Sequence, residues 1–243
     1  MRTAIISDIH ANLIGFRAFL DAVERLSVQR TLCLGDIVGY NPWPNECIQI
    51  IRDRSIACVM GNHDRVAARI EDPDNFNAPA RQAILWTRSV LTEENRDFLA
   101  GLPDRRVIDD STIMVHGSPR NPDEYILTTK NACENMVFMK ERFGASLGFF
   151  GHTHLPGVFD LIHESIPIYE GKTSLKETSV YLINPGSIGQ PRDGNPGVSF
   201  LVYDNDEKTL EFFRVSYDID AVFEAIGRKG LSPYLGKRLF LGV

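Results

Sequence analysis

The chain has 243 residues, 43% hydrophobic and 24% charged, enough for a large buried core in one large domain or two small ones. Its formal net charge of −6, from 26 basic and 32 acidic side chains, argues against a nucleic-acid-binding surface, and no local basic patch offsets it. No apolar run approaches the roughly 18 residues of a membrane-spanning helix, and the apolar start is too short for a signal peptide. Cys33, Cys47, Cys58 and Cys133 show no C-x-x-C spacing, and two of them lie inside apolar strand-like runs. They read as small core residues of a cytoplasmic protein.

Residues 3–7 form a short β-rich run closed by Asp8-Ile9-His10-Ala11-Asn12. From 12 to 26, Leu13, Phe16, Phe19, Leu20, Val23 and Leu26 keep helical spacing. The unit then repeats, with a strand at 31–34, a loop opened by Gly35-Asp36, and a helix at 46–52 whose first turn suits Pro44. A third strand at 56–60 empties into a loop carrying Gly61-Asn62-His63-Asp64. Strands alternating with helices predict a parallel sheet with right-handed crossovers. Residues 71–79 are a turn-rich loop, long enough to overhang a site. Helices follow at 80–90 and 92–99, the second with Thr92 as N-cap.

From 105 onward the texture changes to strands. Segments 106–108 and 112–115 predict a hairpin ending at His116-Gly117, a helix covers 131–142, and a strand at 147–150 runs into Gly151-His152-Thr153-His154. Strands at 158–162, 179–183, 198–203 and 209–215, a helix at 220–228 and an apolar tail at 239–243 complete the chain. With no repeat, low-complexity segment or linker, residues 1–243 are expected to form a single domain. An αβα half before a β-rich half predicts two packed sheets with helices outside.

Five of the six histidines, His10, His63, His116, His152 and His154, directly follow strand-like runs, as do Asp8, Asp36 and Asn62. Each alone has an ordinary reading: an Asp caps a helix, an Asn makes a turn, a His is a satisfied polar group. Together they do not, because burying these carboxylates and imidazoles without cations would cost roughly several kcal/mol. Asp8/His10 and His152/His154 are spaced i, i+2, which in extended chain puts both side chains on one face. Asp8, His10, Asp36, Asn62, His116, His152 and His154 are too many ligands for one tetrahedral zinc. Two ions sharing Asp36, one carboxylate oxygen to each, would use them. The oxygen and nitrogen donors suit two divalent transition-metal ions of the Mn²⁺, Fe, Co²⁺, Ni²⁺ or Zn²⁺ type.

Asp8-Ile9-His10, Gly35-Asp36, Gly61-Asn62-His63-Asp64, His116-Gly117 and Gly151-His152-Thr153-His154 resemble, in order and separation, the five motifs of the calcineurin-like metallophosphoesterases. Asn184-Pro185-Gly186-Ser187 followed by Gln190-Pro191-Arg192 resembles a later turn of bacterial phosphodiesterase-type members. The resemblance implies an α/β fold, a four-layer αββα sandwich of two mixed β-sheets flanked by helices. It also implies a dinuclear centre, with Asp8, His10, Asp36 and His154 on one ion and Asp36, Asn62, His116 and His152 on the other. His63 would protonate the leaving oxygen after in-line attack by a metal-bridging hydroxide, and Asp64 would orient His63.

The phosphoprotein phosphatase branch resembles Gly-Asp-x-x-Asp-Arg-Gly at the second motif, whereas this chain has Gly35-Asp36-Ile37-Val38-Gly39-Tyr40. A monoester dianion would lose a charged partner here. The expected substrate is therefore a phosphodiester, as a small phosphate ester or nucleotide. A phosphomonoester or dinucleoside polyphosphate is the alternative, and a metal-binding scaffold without chemistry is the non-enzymatic one. Arg120 and Arg192 are candidates to hold a substrate phosphate. Tyr40 and Trp43 could stack on a ring or serve in packing, and His163, without a partner motif, is expected to be exposed.

Overall fold

The computed structural model describes residues 1–162 and 170–243, so His163 lies outside the described residues. The first half runs β1 (Arg2–Ile6), α1 (Leu13–Val23), β2 (Arg30–Cys33), α2 (Pro44–Asp53), β3 (Ala57–Cys58), α3 (Asn62–Ala67), α4 (Ala78–Val90) and α5 (Glu93–Ala100). Next come β4 (Arg105–Asp109), β5 (Thr112–Val115), α6 (Thr129–Phe143), β6 (Leu147–Phe149), β7 (Gly157–Asp160) and β8 (Gly171–Ser174). The chain closes with β9 (Tyr181–Asn184), β10 (Val198–Asp204), β11 (Thr209–Val215), α7 (Ile219–Arg228) and α8 (Pro233–Leu241).

Strand alternation sorts these into layers, because successive strand side chains point to opposite faces. Ile5 of β1 and Leu32 of β2 meet Met114, Phe149 and Ile183 in a core between two sheets. Ala4, Ile6 and Cys33, on the other face, pack on α1 and α2 through Phe16, Phe19 and Ile48. Ile113, Val115 and Leu182 of the second sheet turn outward onto Ala132, Met136 and Met139 of α6. The order helix, sheet, sheet, helix is the four-layer α/β sandwich expected from the motifs.

Both sheets are mixed. The first has the order β3-β2-β1-β10-β11-β8, parallel from β3 to β1 and antiparallel beyond, and the second has β4-β5-β6-β9-β7, with β5, β6 and β9 parallel. The carboxyl ends of the parallel strands of both sheets meet at one edge, where ligands of open α/β sheets bind.

Four elements differ from expectation. The segment 61–64 is no loop: Gly61 is the N-cap and Asn62 begins α3, with Asp64 at the third helical position accepting the Gly61 N–H at 3.0 Å. A helix of 6 residues is too short to show a period. The third strand shrinks to Ala57–Cys58, because the Met60 N–H turns away to the carbonyl of Pro103. β8, polar and mostly exposed at a sheet edge, has no alternation to announce it, and the apolar tail is the helix α8, capped by Ser232 and burying Leu235 and Leu239.

Candidate metal centre

Each candidate ligand stands just past a strand. Asp8 and His10 follow β1, Asp36 follows β2, Asn62 opens α3 after β3, His116 follows β5, and His152 and His154 follow β6. Asp8, His10, Asp36, His152 and His154 all have φ between 47° and 66°. This left-handed backbone costs a side-chain-bearing residue about 1–3 kcal/mol and persists only where the surroundings over-determine it. Here loop-to-loop backbone bonds do so: Asp8 N–H to Gly35 O at 3.0 Å, His10 N–H to Asp36 O at 2.9 Å, and Gly189 N–H to Asp8 O at 2.8 Å. Two glycines are needed for close approach, since a Cβ on Gly61 would overlap Asp36 Oδ1 and one on Gly151 would overlap Ser7 Oγ.

The rings are aimed by their outer nitrogens. His10 Nδ1 donates to Val38 O at 3.1 Å, His154 Nδ1 to Gln190 O at 2.5 Å, and His116 Nδ1 to Leu34 O at 2.8 Å. A carbonyl can only accept, so in the neutral rings Nδ1 carries the hydrogen and Nε2 presents a lone pair. His10 Nε2 and His154 Nε2 then face each other at 3.2 Å, with Asp8 Oδ1 at 3.4 Å from His154 Nε2. His116 Nε2 lies 3.1 Å from His152 Nδ1, 3.2 Å from Asn62 Oδ1 and 3.4 Å from Asp36 Oδ2. Asp8 Oδ1 and Asp36 Oδ2 are buried with no hydrogen-bond partner. Lone pairs and orphaned carboxylate oxygens converging at these distances fit divalent cations.

Asp8, His10 and His154 form one buried group able to hold a metal, Asp36, His116 and His152 a second, and His10, Asp36 and His63 a third. Asp36 joins them, but not as expected. Its Oδ1 is taken by the N–H of His63 at 2.9 Å, leaving Oδ2 alone to face His10 Nε2 at 3.6 Å and His116 Nε2 at 3.4 Å. A shared cation pair would use one oxygen of Asp36.

Charge in the cluster follows burial and neighbours. Burial, reinforced by Asp36, raises the Asp8 carboxyl to about 7. Burial also opposes ionisation of Asp36, yet the adjacent His116 and His63 hold it well below the ordinary carboxylate range. His116, despite burial, is lifted to about 9 by Asp36 and Asp8, so an Asp36–His116 ion pair occupies the centre. Burial lowers His63 to about 4 and His152 to about 3, and holds His10 and His154 well below 6.5.

A sequence model of the calcineurin-like phosphoesterase superfamily domain matches residues 1–208. The chain belongs to that superfamily. It is 39% identical to an uncharacterized protein of Methanocaldococcus jannaschii over 98% of this chain and 97% of that one. The crystal structure of a metallophosphoesterase from Sphaerobacter thermophilus superimposes with a TM-score of 0.89 at 37% identity, covering 100% of this chain and 99% of that one. A hypothetical protein of Pyrococcus horikoshii shares the fold, with a TM-score of 0.82 at 23% identity over 100% and 98% of the two chains.

Around this candidate centre the other predicted residues divide. His63 is at the site, its ring 4.7 Å from that of His10, flanked by Tyr40 and Phe76 at 4.6 Å each. Asp64 does not orient it. The Asp64 carboxylate accepts the N–H groups of Ile37, Val38 and Gly61, tying two ligand loops together, while His63 Nδ1 has no partner. The carboxylate was drawn off by three backbone donors at a helix start. Arg192 donates to Tyr40 Oη at 3.4 Å, and its charge is felt at His63, His152 and His154. Arg120 is not brought in: its guanidinium is held by Glu124 and Glu134. Trp43 packs in the core, whereas Tyr40 lies against His10 at 4.5 Å.

The turn after β9 supports the centre. Ser187 Oγ donates to Asp8 O, and Asn184 Nδ2 to Gly151 O. Sequence reasoning noted this turn without giving it a task, and missed Tyr125, whose ring lies 3.9 Å from that of His152. A ring in an irregular loop carries no periodic signal. No helix among the described residues is long and apolar enough to cross a membrane.

Proposed function

We propose that the chain is a metal-dependent phosphoesterase acting on a phosphodiester, with Asp8, His10, Asp36 and His154 holding one ion and Asp36, Asn62, His116 and His152 the other. The observation that carries this reading is the pair of buried lone-pair clusters meeting at one oxygen of Asp36. Bound there, divalent cations supply Lewis acidity that lowers the pKa of coordinated water and draws charge from phosphoryl oxygens. Gly39-Tyr40 supports a diester, since position 40 offers a phenol, hydrogen-bonded to Arg192, and no second guanidinium for a dianion. His63 faces the same space as a neutral imidazole. An anionic phosphate beside it raises its proton affinity, which suits it to deliver a proton to the departing oxygen.

Rates on bis-p-nitrophenyl phosphate and p-nitrophenyl phosphate with added Mn²⁺ test the reading. The diester should be cleaved faster; a faster monoester would make this a phosphomonoesterase, and no rate on either would favour a scaffold. His63→Asn should slow diesters of alkyl alcohols by about 10²–10⁴-fold, the usual worth of proton transfer, and the nitrophenyl diester far less. Equal slowing would remove His63 from that role.

A further inference from the structure

Beside His63 and His152 a cavity of about 220 Å³ opens, smaller than the roughly 300–1,000 Å³ of sites for drug-sized ligands. It has room for a modest alcohol rather than for two nucleosides. Its walls are aromatic: Tyr40 and Phe76 flank His63, and Tyr125, itself 46% exposed, lies over His152. Its rim is acidic, formed by Glu71, Asp72 and Asp123, and the described lining includes no lysine or arginine, although Arg192, bonded to the Tyr40 hydroxyl, sets a positive charge beside the His63 and His152 end.

The basic partners of those carboxylates sit behind them. Arg65 holds Asp123 at 2.9 Å and Glu71 at 3.5 Å, and Arg88 holds Asp72 at 3.5 Å. Their side chains are only 7% and 14% exposed, against 48%, 51% and 82% for Asp123, Glu71 and Asp72. The face met by an incoming molecule is therefore carboxylate oxygen and aromatic ring, the combination that attracts a cation. His152, whose Nε2 is buried and unpartnered, borders the same space.

We propose that this cavity is a subsite for a positively charged alcohol, so that the favoured substrates are small phosphodiesters of amino alcohols. The inference rests on the phosphoesterase reading above. Hydrolysis adds a water oxygen to phosphorus and breaks the bond to the amino alcohol, whose oxygen leaves with the electron pair and takes up a proton. That oxygen departs beside His63, while the ammonium group stays against the carboxylates.

The test is a matched series of methyl phosphodiesters of aminoethanol, ethylene glycol and a hydroxy acid, assayed with Mn²⁺ alongside bis-p-nitrophenyl phosphate. kcat/KM should fall from the cationic through the neutral to the anionic member, by about tenfold end to end at low salt, and the spread should shrink as salt screens the rim. In Glu71→Gln/Asp72→Asn the ratio of the end members should move toward one at full metal content. The salt series on the unaltered protein provides the same reading if that variant does not fold. Cleavage of bis-p-nitrophenyl phosphate with a flat or inverted series overturns the subsite alone. No cleavage of any ester overturns the parent reading and the subsite with it.

Discussion

The group of Asp8, His10 and His154 and the group of Asn62, His116 and His152 share one carboxylate oxygen yet are closed in different ways. In the first, both imidazoles are pinned by backbone carbonyls and all three side chains are buried. In the second, Asn62 is half-buried, the outer nitrogen of His152 has no partner, and both residues border the cavity. Enclosure suits retention of an ion, while the open half faces the space a substrate must enter. The difference teaches that a nearly symmetric set of ligand types can be given unequal tasks by its second layer of contacts.

Asp36→Asn should break both halves together. Losing the shared charge is expected to lower turnover by about 10²–10³-fold, the scale of removing a preorganised electrostatic stabiliser, and to leave less than one ion per chain by elemental analysis. Two ions retained in that variant would dispose of the shared oxygen.

His154→Ala and His152→Ala sharpen the contrast. The first should cost the enclosed ion and lower affinity for it by about 10–100-fold or more, whereas the second should leave the enclosed ion in place and weaken only the other. Competition with a chelator followed by metal counting reads this directly. Identical losses would mean the two halves are equivalent.

The smallest effect expected is a pH dependence. In the metal-free protein Asp8 is raised to about 7 and His116 to about 9, and both must be deprotonated to accept a cation. Metal affinity should therefore rise with pH, by about tenfold per unit between pH 7 and 9 where His116 alone holds an extra proton, and more steeply below 7. Calorimetry in buffers of different ionisation heat would count the protons released. Affinity constant from pH 6 to 9 would rule this out.

The i, i+2 spacing of Asp8/His10 and His152/His154 does not set each pair on one extended face, since all four residues are left-handed rather than extended and His152 and His154 belong to different groups. The ligands could still be read from the sequence because each sits where an apolar strand run stops. The layers were legible for the same reason, Ala4, Ile5 and Ile6 being apolar on both faces. What escaped was decided by competition among contacts. Nothing local says that Asp64 will be captured by the N–H groups of Ile37, Val38 and Gly61, or that Glu124 and Glu134 will neutralise Arg120. Phe76 and Tyr125 reach the centre from irregular chain, where neither period applies.

β1 lies inside its sheet, between β2 and β10, and Asp8 O accepts from Ser187 Oγ. During synthesis at about 5–20 residues per second, β10 follows His10 out of the ribosome by roughly 10–40 s. For that interval the first ligand loop has only one of its two flanking strands, and for most of it the turn that braces it does not yet exist. Ion capture therefore belongs to the end of biogenesis, and a nascent chain stopped short of β10 would carry all seven donors in order without the strand that completes the flanks of β1.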